Sequence, residues 1–230
     1  MARLYLFAEG QTEQTFADTV LKPYLAAFGV FMQGPILIAH ARKRGKVHRG
    51  GVLKYAPVKA DILRFAAQEK ADDVFFTTMI DLYALPDDFP GWNEAERLRN
   101  SPVERVALLE QAFADDIGDS RFVPYVQLHE YEACLFAEPA QFALFYPQDA
   151  KAIAALQAIA DDFASPELID DGLATAPSKR IIAQLPDYKY AKSVIGPQVA
   201  ELIGLNAIRE KCPHFAEWLS RLEQLDHKQL

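Results

Sequence analysis

Near the N-terminus the chain reads Leu4-Tyr5-Leu6-Phe7-Ala8-Glu9-Gly10-Gln11-Thr12-Glu13, an apolar run followed by two carboxylates on either side of a glycine. The apolar run fits a strand that is covered on both faces. Gly10 allows a sharp turn into a helix that begins near Thr12. Because open α/β sheets form their sites at strand ends, this stretch predicts an α/β fold with two acids at the edge of the sheet.

The positions of Glu9 and Glu13 can be explained by a bound cation or by local hydrogen bonding. If the helix begins as early as Gly10, the spacing of four residues places the two acids side by side, and their repulsion favours a cation between them. Glu13 is equally typical of a first helical turn, where the amide dipoles favour negative charge. Glu9 ends a hydrophobic strand, where a desolvated carboxylate needs a hydrogen-bond donor or a metal.

The first half of the chain alternates between apolar strands and helices. Strands are predicted at residues 4–8, 35–39, 74–80 and 122–128, and helices at residues 12–28, 58–70 and 102–117, with Pro23 bending the first helix. This alternation predicts a mostly parallel sheet flanked by helices.

After Glu132 the sequence becomes alanine-rich and helical. Helices are predicted at residues 139–145, 150–163 and 215–225, and a loop at 165–179. We therefore predict an α/β core over residues 1–135 and an α-helical C-terminal extension over residues 136–230 that packs on it.

Composition narrows the class of protein. The chain has 230 residues, of which 50% are hydrophobic, so it can bury a substantial core. Its longest mainly apolar stretch, residues 24–32, is much shorter than a membrane span and follows no basic secretory leader. Cys134 and Cys212 are far apart and form no metal or disulfide pattern. A cytoplasmic protein with free thiols and no membrane contact is expected.

The formal net charge of −8 hides a basic segment between residues 41 and 60. That segment contains no acid, three glycines and seven basic residues: Arg42, Lys43, Arg44, Lys46, Arg49, Lys54 and Lys59. Such a loop suits contacts with the phosphates of a nucleic acid. A solvated loop that faces the acidic body of the protein is the alternative.

Two further groups of acids follow predicted strands. Asp81 ends the strand at 74–80 as Glu9 ends the first, and it opens an irregular loop rich in proline and aromatic residues. His129-Glu130-Tyr131-Glu132 follows the strand at 122–128. If that strand continues, Glu130 and Glu132 point to one face and His129 points away. The sequence is not the HExxH of zinc proteases, because the fifth position is Ala133.

The carboxyl ends of these strands would gather one set of candidate metal ligands: Glu9, Glu13, Asp81, Glu130 and Glu132. Oxygen ligands without cysteine or well-spaced histidine favour Mg²⁺ or Mn²⁺, and carboxylate-held magnesium commonly serves phosphate chemistry. A pair of such ions about 4 Å apart stabilises the attacking and leaving oxygens of a phosphodiester. A salt bridge or a structural role for one of the last two glutamates is the alternative.

Cations that could contact phosphate occur in two C-terminal stretches, Pro177-Ser178-Lys179-Arg180 and Tyr188-Lys189-Tyr190-Ala191-Lys192. Lys179 could hold the scissile phosphate or assist the leaving group, and Arg180 could bind it in bidentate fashion. Lys189 and Lys192 are further candidates for contacts with nucleic acid. Alternatively, Lys179 and Arg180 only decorate the start of a helix.

Taken together, these motifs resemble an uncharacterised prokaryotic family of toprim-like proteins. The shared motifs are E-G-x-T-E at 9–13, D-x-Y-x-L-P at 81–86 with F-P-G at 89–91, H-E-x-E at 129–132, P-S-K-R at 177–180 and C-P-H-F at 212–215. The resemblance runs nearly from end to end.

The wider toprim resemblance implies a magnesium-binding α/β core of the kind found in topoisomerases, primases and nucleases of the overcoming-lysogenization-defect type. It implies metal-ligand roles for Glu9 and Glu13. The toprim D-x-D pattern matches at Asp81, whereas its second position is Tyr83, so Glu130 and Glu132 become candidates for the missing ligand. Family members are often encoded beside an ATPase, which implies an ATPase partner.

The predicted function is that of a magnesium-dependent phosphodiesterase or nuclease acting on DNA or RNA, in a defence-type system with an ATPase. Glu9, Asp81 and Lys179 are the predicted catalytic residues. The alternative is a non-catalytic, metal-binding partner or regulatory subunit of an ATPase complex. Hydrolysis of a nucleotide or another phosphate ester differs from the first prediction only in the size of the substrate.

Overall fold

The computed structural model describes residues 1–38, 54–170, 172 and 174–226. Five of the predicted phosphate contacts therefore lie outside the described residues: Arg42, Lys43, Arg44, Lys46 and Arg49. The strand predicted at 35–39 falls partly outside them as well, and the described part of it is a short strand, Ile36–Leu37.

The strands form one six-stranded sheet in which every pairing between the described strands is parallel. Its strands are β1 (Ala2–Ala8), β2 (Val30–Met32), β3 (Ile36–Leu37), β4 (Val74–Asp81), β5 (Phe122–Val123) and β6 (Val126–Gln127). Strand β1 pairs with β2 and β3 on one side and with β4 on the other, and β4 also pairs with β5 and β6. The predicted mostly parallel sheet is confirmed, with β1 and β4 at its centre.

The two central strands are apolar on both faces because helices cover both. All eight residues of β4 are buried. Leu4 and Leu6 of β1 belong to the hydrophobic cluster on one face, while Phe7 and Phe76 belong to the cluster on the other. Continuous apolar runs of this kind are typical of strands buried within an α/β sandwich.

Helices lie on both faces of the sheet. One face packs against α3 (Tyr55–Gln68), α4 (Trp92–Ala95) and α5 (Pro102–Ile117). The other carries a helical segment at residues 11–26 and the C-terminal helices. The C-terminal helices are α6 (Ala150–Asp161), α7 (Pro177–Gln184), α8 (Tyr188–Ile203), α9 (Leu205–Lys211) and α10 (Pro213–Glu223). The predicted helical C-terminal extension is confirmed.

The N-terminal helix is less regular than the sequence predicts. It consists of α1 (Gln11–Phe16), a π-helical segment (Ala17–Leu21) and α2 (Lys22–Ala26). The wide turns directly precede Pro23, which has no amide hydrogen for a regular helical bond. The helix therefore widens near the proline, and it ends two residues before Phe28.

The prediction of one continuous strand over residues 122–128 is wrong. Pro124 has no N–H to donate to the ladder, and the strand is divided into β5 and β6 on either side of it. After β6 the backbone leaves the sheet: His129 has a positive φ of 60°, and a 3₁₀ helix runs over Tyr131–Ala137. Glu130 and Glu132 therefore do not lie on one face of a continuing strand, which was the condition of the prediction.

The loop predicted at 165–179 is also partly wrong. It contains a 3₁₀ turn, Pro166–Leu168, and α7 begins within it at Pro177. Proline suits the first position of a helix because its missing N–H would have no helical partner there. Helices α8 and α9 were not predicted.

No helix in the described part of the chain is both long enough and apolar enough to cross a membrane.

Candidate metal and phosphate site

Glu9 and Asp81 meet at the carboxyl ends of the two central strands. In the register of β1 and β4, Ala8 lies beside Met79, and the backbone N–H of Glu9 donates to the Met79 carbonyl at 3.0 Å. One oxygen of Glu9, Oε2, accepts the backbone N–H of Asp81 at 2.8 Å. Glu9 therefore joins the ends of both strands, and each acid is only 7% exposed.

Glu13 combines the two interpretations that the sequence left open. Its Oε2 accepts the backbone N–H of Gly10 at 2.9 Å, so it caps the start of α1. It also lies close enough to Glu9 for the charge of that residue to matter. Burial, followed by the charge of Glu9, raises the pKa of Glu13 to about 8. The helix-capping acid is thus also a member of the carboxylate cluster.

Glu130 fixes the start of α7. Its Oε1 accepts the backbone N–H of Ser178, and its Oε2 accepts the Ser178 hydroxyl at 3.0 Å. Ser178 follows Pro177, the first residue of the helix. Burial and then the charge of Glu132 raise the pKa of Glu130 to about 7. Both of its oxygens are used to hold the helix.

Glu132 is paired with α8. Lys192 Nζ lies 2.8 Å from Glu132 Oε1, and the Tyr188 hydroxyl makes a longer contact of 3.5 Å with the same oxygen. Tyr188 and Lys192 are four residues apart on α8, so both point to the same side of the helix. The Glu132 side chain is 3% exposed, whereas the Lys192 side chain is 33% exposed. Lys192 thus reaches from solvent into the cluster.

The charges of the four other acids all act on Asp81. Burial, followed by the charges of Glu9, Glu13, Glu130 and Glu132, raises the pKa of Asp81 well above its ordinary value. Its Oδ1 accepts the backbone N–H of Tyr131 at 2.9 Å. The structure therefore brings all five predicted acids into one buried carboxylate cluster at the edge of the sheet.

Some polar atoms of this cluster are not satisfied by the described residues. Within those residues, Asp81 Oδ2, Glu13 Oε1 and Glu132 Oε2 accept no hydrogen bond. The Tyr131 hydroxyl is buried, and it too has no hydrogen-bond partner in the described part of the chain. Electrostatic interactions with Glu132 and Glu13 contribute to its raised pKa, after burial and Cys134. A buried hydroxyl in this state needs a partner that the described residues do not supply, such as water or an ion.

The oxygen atoms of the carboxylate cluster are chemically suited to a hard cation. Carboxylate oxygens suit Mg²⁺ or Mn²⁺ better than zinc. Among the described residues, however, no three His, Cys, Asp or Glu side chains are already arranged to hold an ion. Binding would therefore require side-chain rotation that turns the open oxygens of Glu13, Asp81 and Glu132 towards one point.

A family model with the description "domain of unknown function (DUF4276)" matches residues 8–223. The chain belongs to the DUF4276 family. The matched range includes all five acids of the carboxylate cluster and Lys192, and the predicted resemblance to a family without an assigned activity is confirmed. None of the curated proteins matches the chain.

One solved structure similar to the DUF4276 chain is the C-terminal region of the OLD protein of Xanthomonas campestris pv. campestris. The two chains are 18% identical, the comparison covers 99% of the DUF4276 chain and 98% of the other, and the TM-score is 0.37.

The four predicted C-terminal cations of the DUF4276 chain are placed differently from one another. Lys192 lies in the carboxylate cluster. Lys179 is exposed and directly follows Ser178, which binds Glu130. The Arg180 Nε donates to the Thr175 carbonyl at 2.6 Å, and its guanidinium lies over the Phe163 ring. Lys189 is exposed beside the ring of Tyr190.

Sequence reasoning did not identify Ser178, Tyr188 or Tyr131 as members of the site. The spacing of Tyr188 and Lys192 was a usable signal, because residues four apart share one face of a helix. Gly196 continues this face: a Cβ atom there would lie 2.9 Å from the Tyr188 hydroxyl oxygen. The absence of a side chain at Gly196 therefore leaves room for Tyr188.

The raised pKa values of Glu13 and Glu130 predict an unusual pH dependence for the metal-free DUF4276 chain. Between their ordinary values near 4.3 and their folded values of about 8 and about 7, the folded state binds more protons than the unfolded state. The free energy of unfolding must then fall as pH rises through this window. In thermal melts with a chelator, we expect the midpoint to decrease from pH 5.5 to pH 8.5.

Glu13→Gln should flatten this decrease, because the neutral amide has no proton to lose. Glu201→Gln, at an exposed position on α8, is the matched control and should leave the slope unchanged. A midpoint that rises over the same range, or an unchanged slope in Glu13→Gln, would contradict the assignment.

Proposed function

We propose that the protein is a Mg²⁺- or Mn²⁺-dependent phosphodiesterase that acts on DNA or RNA. The observation that supports this function is the convergence of five buried carboxylates at the ends of adjacent parallel strands. Like charges this close are costly without a cation. One lysine offsets only part of that cost, and a divalent ion suits the remainder.

The acids divide into two roles in this proposal. Glu9, Glu13, Asp81 and Glu132 would hold the metal, and Glu130 would assist mainly by keeping α7 in position. When bound, magnesium would offset charge on the phosphodiester and supply an activated water. Glu9 and Asp81 are the central acids because each ends one of the two middle strands.

The cations of the chain would act on the phosphate. The Lys192 ammonium group could leave Glu132 and pair with a phosphate oxygen instead. It would then neutralise negative charge as the bond to the leaving oxygen breaks. Lys179, one residue from the Glu130-bound Ser178, would approach from the start of α7. Arg180 and Lys189, with the basic residues at 42–49, would contact the strand further from the scissile bond.

A second candidate function is a non-catalytic, metal-binding or regulatory subunit of an ATPase complex. One observation favours the regulatory form, which needs no metal: among the described residues, no ready-made set of three metal ligands is present. An ATPase partner is compatible with both functions, because an enzyme and a regulatory subunit could each be controlled by one.

The decisive experiment is a cleavage assay. The protein is incubated with labelled single-stranded and double-stranded DNA and RNA in Mg²⁺, Mn²⁺ or a chelator. We expect cleavage that requires the metal. The absence of cleavage with either metal on all four substrates would instead support the regulatory function, and cleavage that persists in both Glu9→Ala and Asp81→Ala would refute the site assignment.

A further inference from the structure

Tyr83 stands at the rim of the carboxylate cluster. It lies two residues after Asp81, in the 3₁₀ turn Leu82–Ala84. Its backbone N–H donates to the carbonyl of His129 at 3.1 Å, which ties this turn to the segment that carries Glu130. The preceding Leu82 is fully buried, whereas Tyr83 remains 48% exposed. The turn therefore presents an aromatic ring to solvent directly beside the acids.

The charges of the acids act on the Tyr83 side chain. After burial, the charges of Asp81 and Glu130 contribute most to raising the pKa of Tyr83, followed by those of Glu9 and Glu132. Tyr83 therefore lies close enough to the acids to be affected by their charges, while 48% of it remains exposed.

A polyanionic substrate meets an electrostatic difficulty at this site. The chain carries a formal net charge of −8, the cluster holds five carboxylates, and Lys192 is paired with Glu132. Attraction between phosphate and protein therefore cannot supply all of the affinity here. Stacking of a base on an aromatic ring is insensitive to this charge and is a common source of affinity for single strands.

We infer that Tyr83 is the platform on which an unpaired base stacks beside the scissile phosphate, so that the substrate is a single-stranded nucleic acid or a single-stranded region. This inference rests on the proposed function and specifies its substrate class. The bases of a duplex are stacked on each other and cannot offer a face to Tyr83 without unpairing. The acids are at most 7% exposed, which also favours a flexible strand over a rigid duplex.

The test measures binding separately from cleavage. Fluorescence anisotropy follows labelled 12-nucleotide DNA and RNA strands, and the matching duplexes, in Ca²⁺ with no Mg²⁺. We expect Tyr83→Ala to weaken single-strand binding about 5- to 100-fold, the loss typical of one base stack, and Tyr83→Phe to bind like the wild type. Tyr83→Leu, which keeps apolar volume in the turn, should resemble Tyr83→Ala.

Phe31→Ala is the matched control. Phe31 is 44% exposed and lies on β2 beside Arg3, at the end of β1 away from the carboxylate cluster. Its loss should leave binding unchanged. Equal affinity of Tyr83→Ala or Tyr83→Leu and the wild type for single strands, equal affinity for duplex and single strand, or no binding at all would overturn the inference.

Failure of the inference and failure of the proposed function give different results. Wild-type cleavage together with Tyr83-independent binding would remove only the stacking role. Tyr83-dependent binding without cleavage by the wild type would keep the single-strand platform and remove the hydrolytic function.

Discussion

Asp81→Asn is expected to lower metal-dependent cleavage by about a thousand-fold or more, a loss at the upper end for removal of one charged or polar group that stabilises a transition state. Asparagine keeps an oxygen that can accept the backbone N–H of Tyr131, now 2.9 Å from Asp81 Oδ1. The substitution therefore removes a charge while preserving the local backbone. Cleavage rates at saturating Mg²⁺ measure the effect.

The same variant should change thermal stability in opposite directions with and without metal. In a chelator at pH 8, loss of one buried carboxylate charge should raise the melting midpoint by about 2–4 °C. In the wild type, Mg²⁺ at 100 times its dissociation constant should raise the midpoint by about 5–10 °C. Asp81→Asn should lose that gain.

Asp18→Asn provides the matched control. The Asp18 side chain is 52% exposed and pairs with Lys22 on the surface of the N-terminal helix, so both cleavage and the magnesium response should be retained. If Asp81→Asn keeps its full activity, or if it gains as much stability from Mg²⁺ as the wild type does, Asp81 is not a metal ligand.

Lys192→Met is expected to have the second largest effect, a loss of about a hundred-fold in cleavage rate. Methionine keeps the unbranched apolar part of the side chain but removes the ammonium group. Without metal, the Glu132 side chain, which is 3% exposed, would lose its cation, and we expect a loss of about 2 kcal/mol in the free energy of unfolding. Chemical denaturation at pH 8 measures this loss.

Lys179→Met separates the two candidate lysines. Lys179 is exposed and has no side-chain hydrogen bond or ion pair with another described residue, so its loss should leave stability unchanged and lower cleavage less than Lys192→Met does. If Lys179→Met instead shows the larger loss of activity at unchanged stability, Lys179 is the lysine that acts on the phosphate, as predicted from the sequence alone.

The sheet and the gathering of the acids could be predicted because they depend on local patterns. Continuous apolar runs identified β1 and β4, and parallel strands place their carboxyl ends at one edge, so Glu9 and Asp81 had to lie close together. Pro102 identified the start of α5 to the residue. These signals need only neighbouring residues and one rule of sheet topology.

The contacts that complete the site could not be predicted in the same way. Ser178 binds Glu130 from 48 residues away, and Lys192 reaches Glu132 only because α8 packs against the 3₁₀ helix that carries it. The spacing of Tyr188 and Lys192 places both on one face of a helix, but it does not show that this face packs on the acids. The left-handed backbone conformation of His129 could not be predicted either, because it depends on how the chain leaves the sheet after β6.

Several acids of the cluster have a second role, because Glu9 joins two strand ends, Glu13 caps α1 and Glu130 anchors α7. A relative that had lost catalysis would still need these three to fold. Their presence in another member of the family would therefore indicate only that it has the same fold. It would not distinguish an enzyme from an inactive relative. Asp81 is the position that could make that distinction, because asparagine there keeps an acceptor for the Tyr131 N–H and removes only the charge.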